Sequence, residues 1–170
     1  MKKKKGILFW ITGLSGCGKT SLAKKILNFV KKNYGPTIIV NGDDLREIFD
    51  YKKFDKSSRL KYALSYSKFC KEITDQKVNV IFSTVSLYHK VRSWNKKNIN
   101  NYFEIYIEAD IKTLIKKKKK YFYRTKLVNI VGKNIKAELP EKPDIKITNN
   151  FIKSINQLKI ELIKEISLKV

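Results

Sequence analysis

Apolar residues run from Ile7 to Ile11 and stop at Gly13, after which Leu22, Ala23, Ile26, Leu27 and Val30 recur at helical spacing. The pattern predicts a buried strand over 7–12, a glycine-rich loop over 13–20 and a helix broken at Gly35 and Pro36. The β-branched run Thr37 to Val40 reads as a second strand that ends at Asn41-Gly42-Asp43-Asp44. A helix over 57–75, which Ser57 or Ser58 could cap, precedes a third strand at Val78 to Phe82. Two more strands are expected at 102–108 and 144–148, with helices at 110–119 and 151–168; Ile155, Leu158, Leu162 and Ile166 share one face of the last. Strands alternating with helices predict an α/β fold, a three-layer domain around a five-stranded parallel sheet. Ligands of such sheets bind at the carboxyl ends of the strands, where the loops at 13, 42, 83 and 109 begin. Residues 120–143 lack periodicity and carry Gly132, Pro140 and Pro143, so a lid or acceptor loop is expected over about 117–143.

The 170 residues, 42% of them hydrophobic, suffice for one domain with an ordinary core. A net charge of +23 raises the question of a polyanionic partner. Lysines occur in nearly every polar stretch, beside many Asn and Ile, as an AT-rich coding sequence would bias a surface, so no nucleic-acid partner is expected. Lys2 to Lys5 read as a solvated basic tail (residues 1–5), too short and polar to begin a signal peptide. No apolar run approaches the roughly 20 residues of a membrane span, which predicts a cytoplasmic protein with no membrane partner. Cys17 and Cys70 lie far apart without metal-ligand spacing, and His89 alone cannot build a metal cluster.

Gly13-Leu14-Ser15-Gly16-Cys17-Gly18-Lys19-Thr20 matches GxxxxGK[ST] in full, with a strand before it and a helix after it. This is a P-loop: backbone N–H groups from Gly13 to Ser21 wrap the phosphates of ATP, Lys19 reaches the β and γ phosphates, and Thr20 ligates Mg²⁺. The motif alone is shared by kinases, GTPases and motor ATPases. No NKxD signature and no second strand ending in several acids is present, which leaves a small-molecule kinase of P-loop NTPase fold. Asp43, after the second strand, should face the phosphate site, where a carboxylate could accept a hydroxyl proton and hold Mg²⁺ through water; the same segment could instead cap a helix carrying Leu45 and Ile48. Arg46 and Arg59 are two of only four arginines in a lysine-rich chain, which points to forked contacts with anions. A nucleic-acid-binding ATPase remains the alternative of another class.

GLSGCGKTS, NGDDLR, Phe54 with Arg59, residues 81–92, and Gly132 followed by PEKPD at 140–144 occur in the order found in adenylylsulfate kinases, which the chain resembles from about Ile7 to Thr148. That resemblance implies an ATP- and Mg²⁺-dependent phosphoryl transfer to a nucleotide ribose 3′-hydroxyl, and a homodimer. It implies that Asp43 is the essential carboxylate, that Arg46 and Arg59 hold the acceptor nucleotide, and that Phe54 stacks on its base. Ser86 falls on an active-site serine and Lys120 on a lid lysine. The chain departs from the family pattern at Asn41, Tyr62, Ser65 and Ile130, the last standing where a second base-stacking Phe is expected. All four lie on the acceptor side. The chain is similar in this to the cytidine diphosphoramidate kinases, a branch of the family serving capsule phosphoramidate synthesis, whose pyrimidine would suit Phe54 opposite Ile130.

Overall fold

The computed structural model describes residues 5–117 and 128–170. Leu8–Thr12 forms β1, and all five of its residues are buried because neighbours lie on both edges and helices on both faces. Around it stand β2 (Thr37–Asn41), β3 (Asn79–Thr84), β4 (Tyr102–Glu108) and β5 (Ile145–Thr148). The strands pair in the order β2-β3-β1-β4-β5, and every pairing is parallel. The expected α/β layering is therefore present, with the strand that feeds the glycine loop at the centre of the sheet. No helix among the described residues is long and apolar enough to cross a membrane.

One face carries α1 (Lys19–Tyr34) and α6 (Ile155–Lys169), which pack Leu22, Ile26, Val30, Leu158, Leu162 and Ile166 into the larger core. Ser154 accepts from Gln157 N and the Gln157 side chain bonds back to Ser154 N, a capping box that starts α6 four residues later than the periodicity predicts. The other face carries α3 (Lys56–Asp75) and α4 (His89–Asn98) over Leu8, Trp10, Val80 and Phe82. The cap of α3 is Asp55, whose carboxylate accepts from Ser58 N at 2.9 Å, in place of the expected Ser57 or Ser58. Two short helices, α2 (Gly42–Ile48) and α5 (Ile111–Lys116), follow β2 and β4.

Helix α4 has no counterpart in the hydrophobic pattern, because two of its three buried residues, Arg92 and Asn95, are polar. Arg92 Nε lies 3.2 Å from Glu104 Oε1 on β4, with both side chains almost fully buried. His89 takes a structural part here: its Nδ1 is 2.6 Å from Arg92 Nη2, and its backbone N donates to Glu138 Oε2. Cys70 lies in the smaller core, where burial raises its thiol pKa far above the usual value.

Two consequences are testable. Burial pushes the Glu104 carboxyl up to about 7, against the pull of Arg92 and Lys96 and with a smaller push from Asp144. The folded protein then holds a proton that the unfolded chain has released, so stability from this group is full below the ordinary carboxylate pKa and is lost as pH rises through about 7. Melting midpoints should fall from pH 5 to pH 8 in the parent and change less in Glu104→Gln; an equal decline in both would assign the slope to other groups. Just beyond β5, Asn149 Nδ2 donates to the buried Cys17 carbonyl at 3.0 Å, and its Oδ1 accepts from Phe151 N. Asn149→Ala leaves that carbonyl unpaired and should cost about 1–3 kcal/mol, read as a lowered melting midpoint together with a raised KM for ATP. An unchanged midpoint would remove Asn149 from the support of the loop.

Candidate active site

The glycine loop leaves the carboxyl end of β1 and returns as α1, and its course depends on backbone that side chains would obstruct. A Cβ on Gly13 (φ 152°) would stand 2.4 Å from the Ile107 carbonyl oxygen and 2.8 Å from Cys17 Sγ. Gly18 caps α1 in the left-handed region, so the first N–H groups of a sixteen-residue helix open toward the loop. Lys19 lies along this turn, nearly buried, and donates to the Leu14 carbonyl at 2.8 Å.

A cavity of about 670 Å³ opens over the loop, within the roughly 300–1,000 Å³ of sites that hold whole small molecules. Ser15, Gly16, Gly18, Lys19, Thr20 and Ser21 form its floor. Gly13, Leu14 and Cys17, from the same motif, sit behind that floor; Leu14 and Cys17 are built into the larger core. Asn41, Asp43 and Ser83 form the wall opposite. Thr20 Oγ1 is 3.5 Å from Ser83 Oγ, which also bonds Asn41 Oδ1. This gathers hydroxyl, amide and carboxylate oxygens, donors that suit a hard cation such as Mg²⁺.

Asp43 lies in the first turn of α2, whose cap residue Asn41 makes no side-chain capping bond, and it also lines the cavity, so a place in the helix does not keep it from the site. Gly42 packs against the end of β3, where an added Cβ would meet Thr84 Oγ1 at 2.8 Å, and this close contact brings Asp43 beside Thr84 and Val85. All three line a second, smaller cavity of about 60 Å³ as well. Arg46, Arg59 and Ser86 also reach that cavity, with Tyr62, Tyr66 and Tyr88.

The two arginines are held by backbone. Arg46 Nη1 donates to the Tyr51 and Lys53 carbonyls, while Arg59 donates from Nε to Phe54 O and from Nη2 to Asn129 O. Burial, and then repulsion from Arg46, lowers the pKa of Arg59. Phe54 lies 4.3 Å from the Arg46 guanidinium and 5.2 Å from that of Arg59, measured to its ring centroid, and is 49% exposed at the surface beside the cavity. Tyr62, standing where the family pattern has Asn, stacks on Tyr51 with centroids 3.9 Å apart.

One expected acceptor residue stands differently, and another lies outside the described residues. Ile130 is buried in the larger core and lines neither cavity; the turn over 130–135, with Gly132 at φ 88°, puts Val131 on the wall of the smaller one. Lys120, and with it the middle of the expected lid, lies outside the described residues. Sequence reasoning missed Asn149, Tyr66 and Tyr88: the first is a lone amide after a strand, and the other two carry the apolar spacing of core residues.

The family model for adenylylsulphate kinase matches residues 5–148. The chain is 35% identical over 165 residues to the cytidine diphosphoramidate kinase of Campylobacter jejuni, covering 95% of this chain and 96% of that one. It is 29% identical over 150 residues to a probable adenylyl-sulfate kinase of Pyrococcus abyssi, covering 85% and 86%. The Mycobacterium tuberculosis APS kinase, solved in complex with AMPPNP and APS, shares the fold at a TM-score of 0.84 and 21% identity, over 97% of this chain and 99% of that one. With a family model spanning most of its length and a relative 35% identical across nearly all of it, this chain belongs to the adenylylsulphate kinase family and is an ATP-binding phosphotransferase.

Proposed function

We propose that the protein transfers the γ-phosphoryl group of ATP to the ribose 3′-hydroxyl of cytidine diphosphoramidate. The observation that carries the reading is that Asp43 lines both cavities, the larger over the P-loop and the smaller beside Arg46 and Arg59. A carboxylate at that junction can orient the acceptor hydroxyl and take its proton as the oxygen attacks the γ-phosphorus.

In this mechanism the amides of Gly13 to Ser21 enclose the ATP phosphates, and Lys19 exchanges its bond to the Leu14 carbonyl for the β and γ oxygens. Thr20 and Asp43 would hold Mg²⁺, which, when bound, neutralises charge on the transferring group. Arg46 and Arg59 hold the anionic part of the acceptor, Ser86 lies along it, and Phe54 offers a face to its base. Positioning and charge neutralisation then supply most of the rate.

The choice of cytidine is supported by the 35% identity to the Campylobacter jejuni enzyme and by the acceptor side, where Tyr62 and Val131 line the smaller cavity and Phe54 is the aromatic ring at its edge. A homodimer and a cytoplasmic setting complete the proposal. Sedimentation of the purified protein checks the first.

ATP consumption with Mg²⁺ should rise on addition of cytidine diphosphoramidate and stay at its basal level with an equal concentration of adenylylsulfate. Turnover with adenylylsulfate alone would reverse the assignment of the base. Turnover without either acceptor, stimulated by RNA or DNA with a steep salt dependence, would favour a nucleic-acid-binding ATPase. Lys19→Ala should abolish transfer. Asp43→Asn should lower kcat by roughly 10²–10⁴-fold, the usual range for loss of a general base, while KM for ATP changes far less. Comparable kcat in Asp43→Asn and parent would remove the carboxylate from the chemistry.

A further inference from the structure

Three hydroxyls of residues lining the smaller cavity, those of Tyr66, Ser86 and Tyr88, are buried without a hydrogen-bond partner among the described residues. Their residues are 4%, 5% and 3% exposed. One orphaned hydroxyl is a small defect; three on residues that line a single cavity leave bonding capacity unused beside it. They come from two separate pieces of backbone, Tyr66 from α3 and the other two from the segment between β3 and α4. Burial raises both phenols, Tyr66 to about 12, so each stays protonated and can donate one bond and accept others.

The same cavity receives Arg46 and Arg59, whose guanidiniums bond backbone carbonyls and form no ion pair among the described residues. Guanidiniums only donate. The hydroxyls therefore add what the arginines cannot offer, acceptors for an N–H. The volume of about 60 Å³ is far below that of a site for a whole ligand and suits one tetrahedral group. Phe54 does not line the cavity and is left free to meet a base outside it.

Resting on the reading of the protein as a kinase of a cytidine nucleotide, we propose that this cavity takes the terminal group of the acceptor, and that the Tyr66 and Tyr88 hydroxyls select a phosphoramidate there. They accept from its P–NH₂ while Arg46 and Arg59 hold its oxygens. A terminal phosphate presents oxygens alone and leaves the acceptor capacity of the hydroxyls unused. Tyr66 and Tyr88 are then specificity-determining residues, distinct from the group that takes the proton.

The test uses Tyr66→Phe and Tyr88→Phe in the full chain, with cytidine diphosphoramidate and CDP as probes that differ at the terminal group. Calorimetry should show each variant binding cytidine diphosphoramidate about tenfold more weakly, the worth of one hydrogen bond, and CDP less affected, while KM for ATP holds. Melting midpoints without ligand should stay level or rise, since each change removes a buried hydroxyl that has no partner. Equal effects on both probes, or none, would overturn the selection. A ligand-free midpoint lower by several degrees would also overturn it, by revealing a partner inside the protein. If the parent phosphorylates adenylylsulfate and not the cytidine compound, the functional reading falls and the phosphoramidate selection falls with it. If the parent phosphorylates the cytidine compound and the variants discriminate as the parent does, only the role of the tyrosines is lost.

Discussion

The approach of the glycine loop to β4 is the contact on which the rest of the molecule depends. At Gly13 the chain passes so near the Ile107 carbonyl that no side chain fits, and this closeness lets the loop fold back over the end of β1. The buried strand behind it and the core around Cys17 and Leu14 give the turn a rigid seat. Asn149, following β5, fastens the loop from the other side. On the proposed reading, phosphate meets a loop whose glycine turns and Gly18-capped helix end are already in place.

Much of this was legible in the amino-acid sequence, for physical reasons that differ from element to element. The β1–loop–α1 unit is encoded locally: an apolar run, glycines where φ is positive, and a helix with one apolar stripe. Both faces of the sheet are covered, so its strands read as continuous apolar runs. Helix α4 could not be read this way, since an ion pair and an amide replace the expected apolar face. The cap of α3 slipped from Ser57 or Ser58 to Asp55 because several adjacent residues can cap and only the packed helix chooses among them.

The candidate site divides along the same line. Residues of the P-loop were named one by one from a short motif, whereas the smaller cavity is assembled from four separated segments of the chain. Its place after the second strand pointed to Asp43, the scarcity of arginine and the family resemblance pointed to Arg46 and Arg59, and the resemblance alone pointed to Ile130; none of these could tell Ile130 from Val131, since a single turn decides which of two adjacent side chains faces inward. Tyr66 and Tyr88 look like core aromatics in sequence; only their unbonded hydroxyls in the folded chain set them apart.

Thr84 and Val85, at the end of β3, border both cavities. That shared edge joins the two compartments through the sheet itself, while the rest of the smaller cavity's wall comes from α2, α3, the segment that follows β3 and the turn after residue 128. On the proposed reading, the proton-accepting Asp43 shares α2 with Arg46, whereas Arg59, Tyr62 and Tyr66 stand on α3. A lineage could exchange side chains on one helix and one turn, acquire a new acceptor, and leave the machinery of phosphoryl transfer intact.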